Sequence, residues 1–265
     1  MRKLFSLAVC VMAVTCAMAQ KTVNVEAGGL AQAVGGEKLT ITNLKVVGNI
    51  DASDIRVLRE MAGHNSKGQL AQLDLSEANI LKGGGAYANV GSQPGYTQKN
   101  KLTALMFFGC HSLESITLPD RAVLVASDAF LNCPNLKEIL THDNHKFTSI
   151  DGVLYKADTT IIIRVPEGKH VSSFNIPEGV KQIYSSCFRN HNELTEVYLP
   201  STMEGINDNA FTGCPNLAKV VINRPAPPAM ENAFSSRSIR IVVPKGSAAR
   251  YKSVEWWKNF TNITE

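Results

Sequence analysis

The chain has 265 residues, 44% of them hydrophobic and 19% charged, with 27 Lys and Arg against 23 Asp and Glu. That content supports a buried core and excludes wholesale disorder, while 11 Pro and 19 Gly exclude a collagen-like or low-complexity chain. A net charge of +4 is too weak a field to favour nucleic acid or an anionic membrane.

Residues 1–19 read as an export signal. Arg2 and Lys3 form its basic start, the apolar run extends to Ala17, and Ala17-Met18-Ala19 offers small side chains before cleavage at Gln20. The run is too short to span a bilayer. Cleavage removes two cations and no acids, leaving 25 against 23 and a net charge of +2. A lipoprotein alternative through Cys16 meets Thr15, larger than the residue usual before a lipidated cysteine. The mature chain is expected to be secreted or held at the cell surface, or to stay in the periplasm, without membrane insertion. Its remaining cysteines are Cys110, Cys133, Cys187 and Cys214.

The mature chain opens with a mixed segment. Residues 22–26 and 39–47 read as strands around a short helix near 30–34. Ser53 is placed to cap a second helix over 54–62, with Ile55, Leu58 and Met61 on one face and Gly63 ending it. Leu70-Ala-Gln-Leu73-Asp-Leu75 is an early copy of a pattern that then dominates. The Gly-rich stretch from Gly83 to Tyr96, carrying Tyr87 and Tyr96, reads as a long loop.

The rest of the chain is self-similar. Phe107-Phe-Gly-Cys-His-Ser-Leu113-Glu-Ser-Ile116-Thr-Leu118-Pro119 aligns with segments that start at Phe130, Phe188 and Phe211, and a fifth copy degenerates after Phe234. The spacing is 23 residues throughout, except that Phe130 to Phe188 spans 58, one unit of 23 and one of 35. Leu-x-x-Ile-x-Leu makes a short strand with alternate side chains inward, and Phe fills the far side of the turn. One unit cannot bury its apolar face alone; stacking neighbours at about 4.8 Å builds a core and a parallel sheet. Cys110, Cys133 and Cys214 share one column, close enough for Cys110 and Cys133 to be bridged, although a stacked column of buried thiols explains the spacing by packing alone. Cys187 occupies the slot of Ala129, Ala210 and Ala233. At the finish, a strand over 239–243 precedes Trp256, Trp257 and Phe260, which are placed to plug the last coil.

The unit Ala-Phe-x-x-Cys-x-x-Leu-x-x-Ile-x-Leu-Pro resembles the BspA-like class of bacterial leucine-rich repeats. Asp54-Ile-Arg-Val-Leu-Arg-Glu-Met61, Leu73-Asp-Leu-Ser-Glu-Ala-Asn-Ile80, Ile150-Asp-Gly-Val-Leu-Tyr155 and Val243-Pro-Lys-Gly-Ser247 resemble its gut and oral members in particular. The resemblance implies surface-exposed or secreted proteins, some linked to adhesion to host matrix proteins, without one shared ligand. The chain departs from the pattern at His142, where the strand-ending Pro is missing, and through the enlarged unit.

The expected fold is therefore a β-dominated α/β repeat: a leucine-rich-repeat solenoid with a parallel strand ladder. An N-terminal α+β cap covers 20–69, repeats cover 70–238 and an aromatic cap covers 239–265, in one domain. Outward strand positions should form a binding face for protein or glycan, drawn from Glu138, Leu140, Glu196, Tyr198 and Val221, with Tyr87 and Tyr96 of the loop as a second candidate. Apolar and aromatic side chains among carboxylates on a rigid face suit such a partner, although scattered exposed apolar residues are also ordinary. Adhesion or host recognition is the first reading; packing against another bacterial surface protein is the alternative. No catalytic motif, cofactor site or metal site is expected, since His142 and His145 lie in a turn without fixed ligand geometry. Asp158-Thr159-Thr160 resembles a short O-glycosylation acceptor and equally an ordinary turn.

Overall fold

The structure, a computed structural model, describes residues 19–90 and 92–265. The export signal read at 1–19 falls, apart from Ala19, outside the described residues. Five strands open the molecule: β1 (Lys21–Val25), β2 (Asn43–Ile50), β3 (Gln72–Asp74), β4 (Ser115–Thr117) and β5 (Glu138–Leu140). They pair in parallel in that order. Their register stacks Leu44, Leu73, Ile116 and Ile139 into one buried column, as strand alternation requires.

Two helices complete the N-terminal cap, α1 (Leu30–Val34) and α2 (Ala52–Met61). The start of α2 corrects the sequence reading. Asp51, not Ser53, is the cap: its Oδ1 accepts the Ser53 N–H at 2.8 Å, while Asp54 reaches back to the Asp51 N–H at 2.9 Å. Ser53 lies inside the first turn and donates its hydroxyl to Asp51. Asp54 also accepts the Gly28 and Leu30 N–H groups at 2.7 and 2.9 Å, so one buried carboxylate ties the two helices together.

Each coil returns through a short back strand and a Phe turn. Phe107 stacks on Phe130 at 5.7 Å, Phe188 on Phe211 at 4.9 Å, and Phe211 on Phe234 at 4.8 Å. Backbone bonds hold the rings in column: Phe107, Phe188 and Phe211 donate to Ala129, Ala210 and Ala233 of the following coil. The four cysteines among the described residues are buried free thiols, so Cys110 and Cys133 are not bridged. Cys133 and Cys214 donate to the carbonyls of Phe107 and Phe188 in the preceding coil, at 3.1 and 3.0 Å. Burial pushes Cys187 up to about 12 and Cys214 to about 11, so these side chains stay protonated.

The enlarged unit divides the ladder. β6 (Phe147–Ile150), β7 (Val153–Lys156) and β8 (Ile161–Arg164) form an antiparallel meander. Asp151 and Gly152 make its first turn, both at positive φ, the combination a two-residue hairpin requires. A Cβ on Gly152 would meet Glu138 at 3.0–3.2 Å, because the turn lies against β5; Ile139 donates to the Gly152 carbonyl there at 2.9 Å. Val153, Tyr155 and Ile162 join the C-terminal core, whereas Leu154 and Ile163 join the N-terminal one. The meander is apolar on both faces because it lies between two cores.

Beyond it a second parallel ladder begins: β9 (Ser173–Asn175), β10 (Glu196–Leu199), β11 (Lys219–Ile222), β12 (Arg240–Val242) and β13 (Ile263–Thr264). Phe174, Val197, Val220, Ile241 and Ile263 line its inner column. The strand ladder is thus parallel but in two pieces, where the repeat spacing alone suggested one sheet. Val165 donates to Cys187 in the register that a Phe takes elsewhere. Phe174 supplies the missing ring, edge-on to Phe188 at 5.1 Å.

Both ladders start on a buried arginine. Arg59 donates to the carbonyls of Leu105 and Met106, at 2.6 and 3.0 Å. Arg164 donates to the Ser186 carbonyl and, at 2.8 Å, to Glu167. Buried carbonyls need donors, and at both starts a guanidinium supplies one. At the far end Tyr251, Trp257 and Phe260 are buried, with the Trp257 indole N–H on the Pro228 carbonyl at 2.8 Å. Trp256 is only half-buried, so of the expected Trp256, Trp257 and Phe260 the last two form the plug, joined by Tyr251.

Candidate functional site

Outward residues of each ladder form two rows. On the first ladder one row runs Asn43, Gln72, Ser115, Glu138, and the other Lys45, Asp74, Thr117, Leu140. Its polar groups engage one another. Asn43 donates to Gln72 at 2.8 Å, and Lys45 lies 2.6 Å from Glu77 and 3.6 Å from Asp74. Glu138 is exposed and Leu140 half-buried at the edge where the meander begins.

On the second ladder the rows differ in kind. Ser173, Glu196, Lys219 and Arg240 form a charged row, and Asn175, Tyr198, Val221, Val242 and Thr264 a largely apolar one. Tyr198, Val221 and Val242 are half-buried and contiguous across β10, β11 and β12. The Tyr198 hydroxyl donates to Glu196 at 2.6 Å; Lys219 reaches both Glu196 oxygens at 3.1 Å and sits 5.6 Å from the Tyr198 ring centroid. The Tyr198 hydroxyl and Lys219 hold the Glu196 carboxyl below its usual range, and Glu196 raises Lys219 in turn. The aromatic ring is thereby fixed before any partner arrives, which lowers the ordering cost of binding.

The structure brings Glu196, Tyr198 and Val221 together and leaves Glu138 and Leu140 on the other ladder. It also corrects the loop. Residues from Gly83 to Tyr96 contain an antiparallel hairpin, Ala86–Val90 with Gln93–Tyr96, held by Arg56 on the carbonyls of Gly84 and Ala86. Tyr87 is 4% exposed, with its hydroxyl shared between Thr103 and the Ala104 carbonyl, so its ring belongs to the core rather than to an open loop. Tyr96, 54% exposed, stays accessible. His142 pairs with Asp120 at 3.0 Å, which raises its pKa, and His145 is exposed. Among the described residues no group of three or more His, Cys, Asp or Glu gathers to hold a metal.

Sequence reasoning missed Asn175, Arg240 and Val242 as members of this face. The signals were present: Val171-Ser-Ser-Phe174-Asn-Ile176-Pro177 matches the Leu-x-x-Ile-x-Leu-Pro unit, and Ile241-Val-Val243-Pro244 repeats its end.

A family model for the BspA type leucine rich repeat region matches in six copies, over residues 97–168 and 159–263. The chain belongs to this family. No curated protein matches it. Among solved structures it is similar to a leucine-rich repeat protein from Eubacterium ventriosum, at 15% identity and TM-score 0.46, covering 88% of this chain and 75% of that one. It is also similar to a leucine rich cell surface protein from Faecalibacterium prausnitzii, at 17% identity and TM-score 0.42, covering 84% and 73%. The pneumococcal vaccine antigen PcpA gives 16% identity and TM-score 0.43, covering 84% and 67%. The family assignment rests on the repeat match.

Proposed function

We propose that this BspA-type repeat protein is an exported, non-enzymatic recognition module whose second ladder binds a host protein or glycan. Residues 1–19 would direct its export and be removed in the process, leaving one repeat domain over 20–265 secreted, at the cell surface or in the periplasm. The observation that carries the reading is the contiguous strip Tyr198, Val221 and Val242 beside the charged row Glu196, Lys219 and Arg240. An apolar, aromatic centre with a polar rim is the usual anatomy of a protein-binding patch. The Tyr198 hydroxyl with Glu196 suits sugar hydroxyls equally. No described helix is long and apolar enough to cross a membrane.

The test is a binding screen of residues 20–265 against matrix proteins and mucosal glycans, with Tyr198→Asp alongside. Binding lost in that variant, with thermal stability kept, supports the strand face. Binding retained moves the site to Tyr96 or the caps. Absence of binding points instead to a bacterial surface partner, to be sought by co-purification.

A further inference from the structure

A groove of about 690 Å³ runs along the Phe-turn edge of the coils, away from the strand face and centred on the coil that starts the second ladder. It exists because that coil breaks the repeat. By register, Glu167, Gly168 and Lys169 stand where the preceding coil has Asn132, Cys133 and Pro134. Gly168 is required: a Cβ there would lie 2.5 Å from the Asn135 backbone.

Glu167 is the decisive residue. Its side chain is 5% exposed, yet it lines the groove. Oε1 is saturated by Arg164 at 2.8 Å, the Asn132 N–H at 3.0 Å and the Asn190 amide at 3.2 Å. Those three donors fix the carboxylate, and no donor among the described residues reaches Oε2. Around it stand His111, Asn192 and the exposed His170–Glu193 pair, at 3.1 Å, with Pro134 and Pro215 supplying apolar wall. The side chains of His111 and Asn192 engage no partner among the described residues.

The charges nearly cancel: Glu167 is matched by Arg164, Glu193 pairs with His170, and Lys169, also in the lining, bonds the Asp151 carbonyl and offsets the remaining acid. A neutral groove with a fixed carboxylate, carboxamides and imidazoles favours neither an ion nor a charged peptide. Convergent acceptors and donors beside short apolar walls match vicinal hydroxyls and the C–H faces between them. Its volume lies in the range of small-ligand sites. We propose that this groove is a second binding site, for a neutral oligosaccharide, separate from the strand face.

The probes are N-acetylglucosamine, lactose and N-acetyllactosamine, titrated into residues 20–265 while the imidazole NMR signals of His111 and His170 are followed. Expected is saturable binding of at least one sugar that shifts these signals and weakens about tenfold in His170→Ala, as loss of one hydrogen bond implies. Glu167→Gln turns an acceptor into a donor and is expected to weaken it at least as much; His170→Ala, on an exposed side chain, covers the case in which that variant unfolds. Tyr198→Asp leaves the affinity unchanged. The proposal is overturned if no sugar binds, if binding is lost in Tyr198→Asp but not in the groove variants, or if oligolysine binds there in place of sugar.

Discussion

The two ladders share a backbone plan and an inner column of aliphatic residues, but their outer rows have diverged. On the first, amides and charges partner one another along the sheet, as Asn43 with Gln72 and Lys45 with Glu77. On the second, no element among the described residues covers the half-buried Tyr-Val-Val strip. Inward positions are dictated by packing and outward ones are not, so function is written where the repeat is free to vary. The meander between them lets one chain carry both surfaces without a shared sheet.

The core contrast is tested most strongly by its aromatic stacks. Phe211 lies between Phe188 and Phe234, whereas Phe107 stacks on Phe130 alone. Phe211→Ala is expected to cost about 4 kcal/mol and Phe107→Ala less, by urea unfolding. Equal costs would mean that the ring stack adds nothing to ordinary burial.

The two arginines that start the ladders come next. Arg164→Met leaves the Glu167 carboxylate buried without its partner, a loss of about 3 kcal/mol. Arg59 faces carbonyls and His64 rather than a buried acid, so Arg59→Met should cost less. The reverse order would contradict the account of the junction.

Acid sensitivity should also divide the halves. His191 takes the cysteine column in the coil after Gly168, with its nitrogens 3.0 and 3.1 Å from the carbonyls of Phe188 and Pro166. Burial first, then Arg164, lowers its pKa from 6.5 to about 4 despite those carbonyls. The unfolded chain therefore takes up the proton first, and stability contributed by the neutral ring is full above pH 6.5 and falls as the pH drops toward 4. The whole loss is about 3 kcal/mol. Hydrogen exchange should place it in the second ladder, and His191→Cys, which restores the column residue, should remove it.

Most of the fold was legible because a 23-residue register is a packing constraint that every coil repeats. Phe, Cys and the Leu-x-x-Ile-x-Leu strand each landed in the column their spacing demanded. The division into two ladders was not legible from Phe spacing, since the marker residues themselves are replaced: Val165 stands in for Phe and Gly168 for Cys. Asp151-Gly152 announced a hairpin, but nothing local says that a strand apolar on both faces separates two cores. The site was half legible. Tyr198 and Val221 followed from alternation, whereas burial of Tyr87 depends on Thr103 and Ala104, which no local pattern links to it.

The smallest structural effects are expected on the outward rows. Tyr198→Asp and Thr117→Asp change the same outward row on the two ladders; Thr117→Asp should alter stability by no more than about 0.5 kcal/mol, and Tyr198→Asp, which loses the Glu196 and Lys219 contacts, by about 1 kcal/mol. The deciding measurement compares their affinities, side by side with the parent chain, for the partner found in the matrix-protein and glycan screen. The account predicts that Tyr198→Asp abolishes binding and Thr117→Asp leaves it unchanged; equal loss in both, or loss in Thr117→Asp alone, would contradict it.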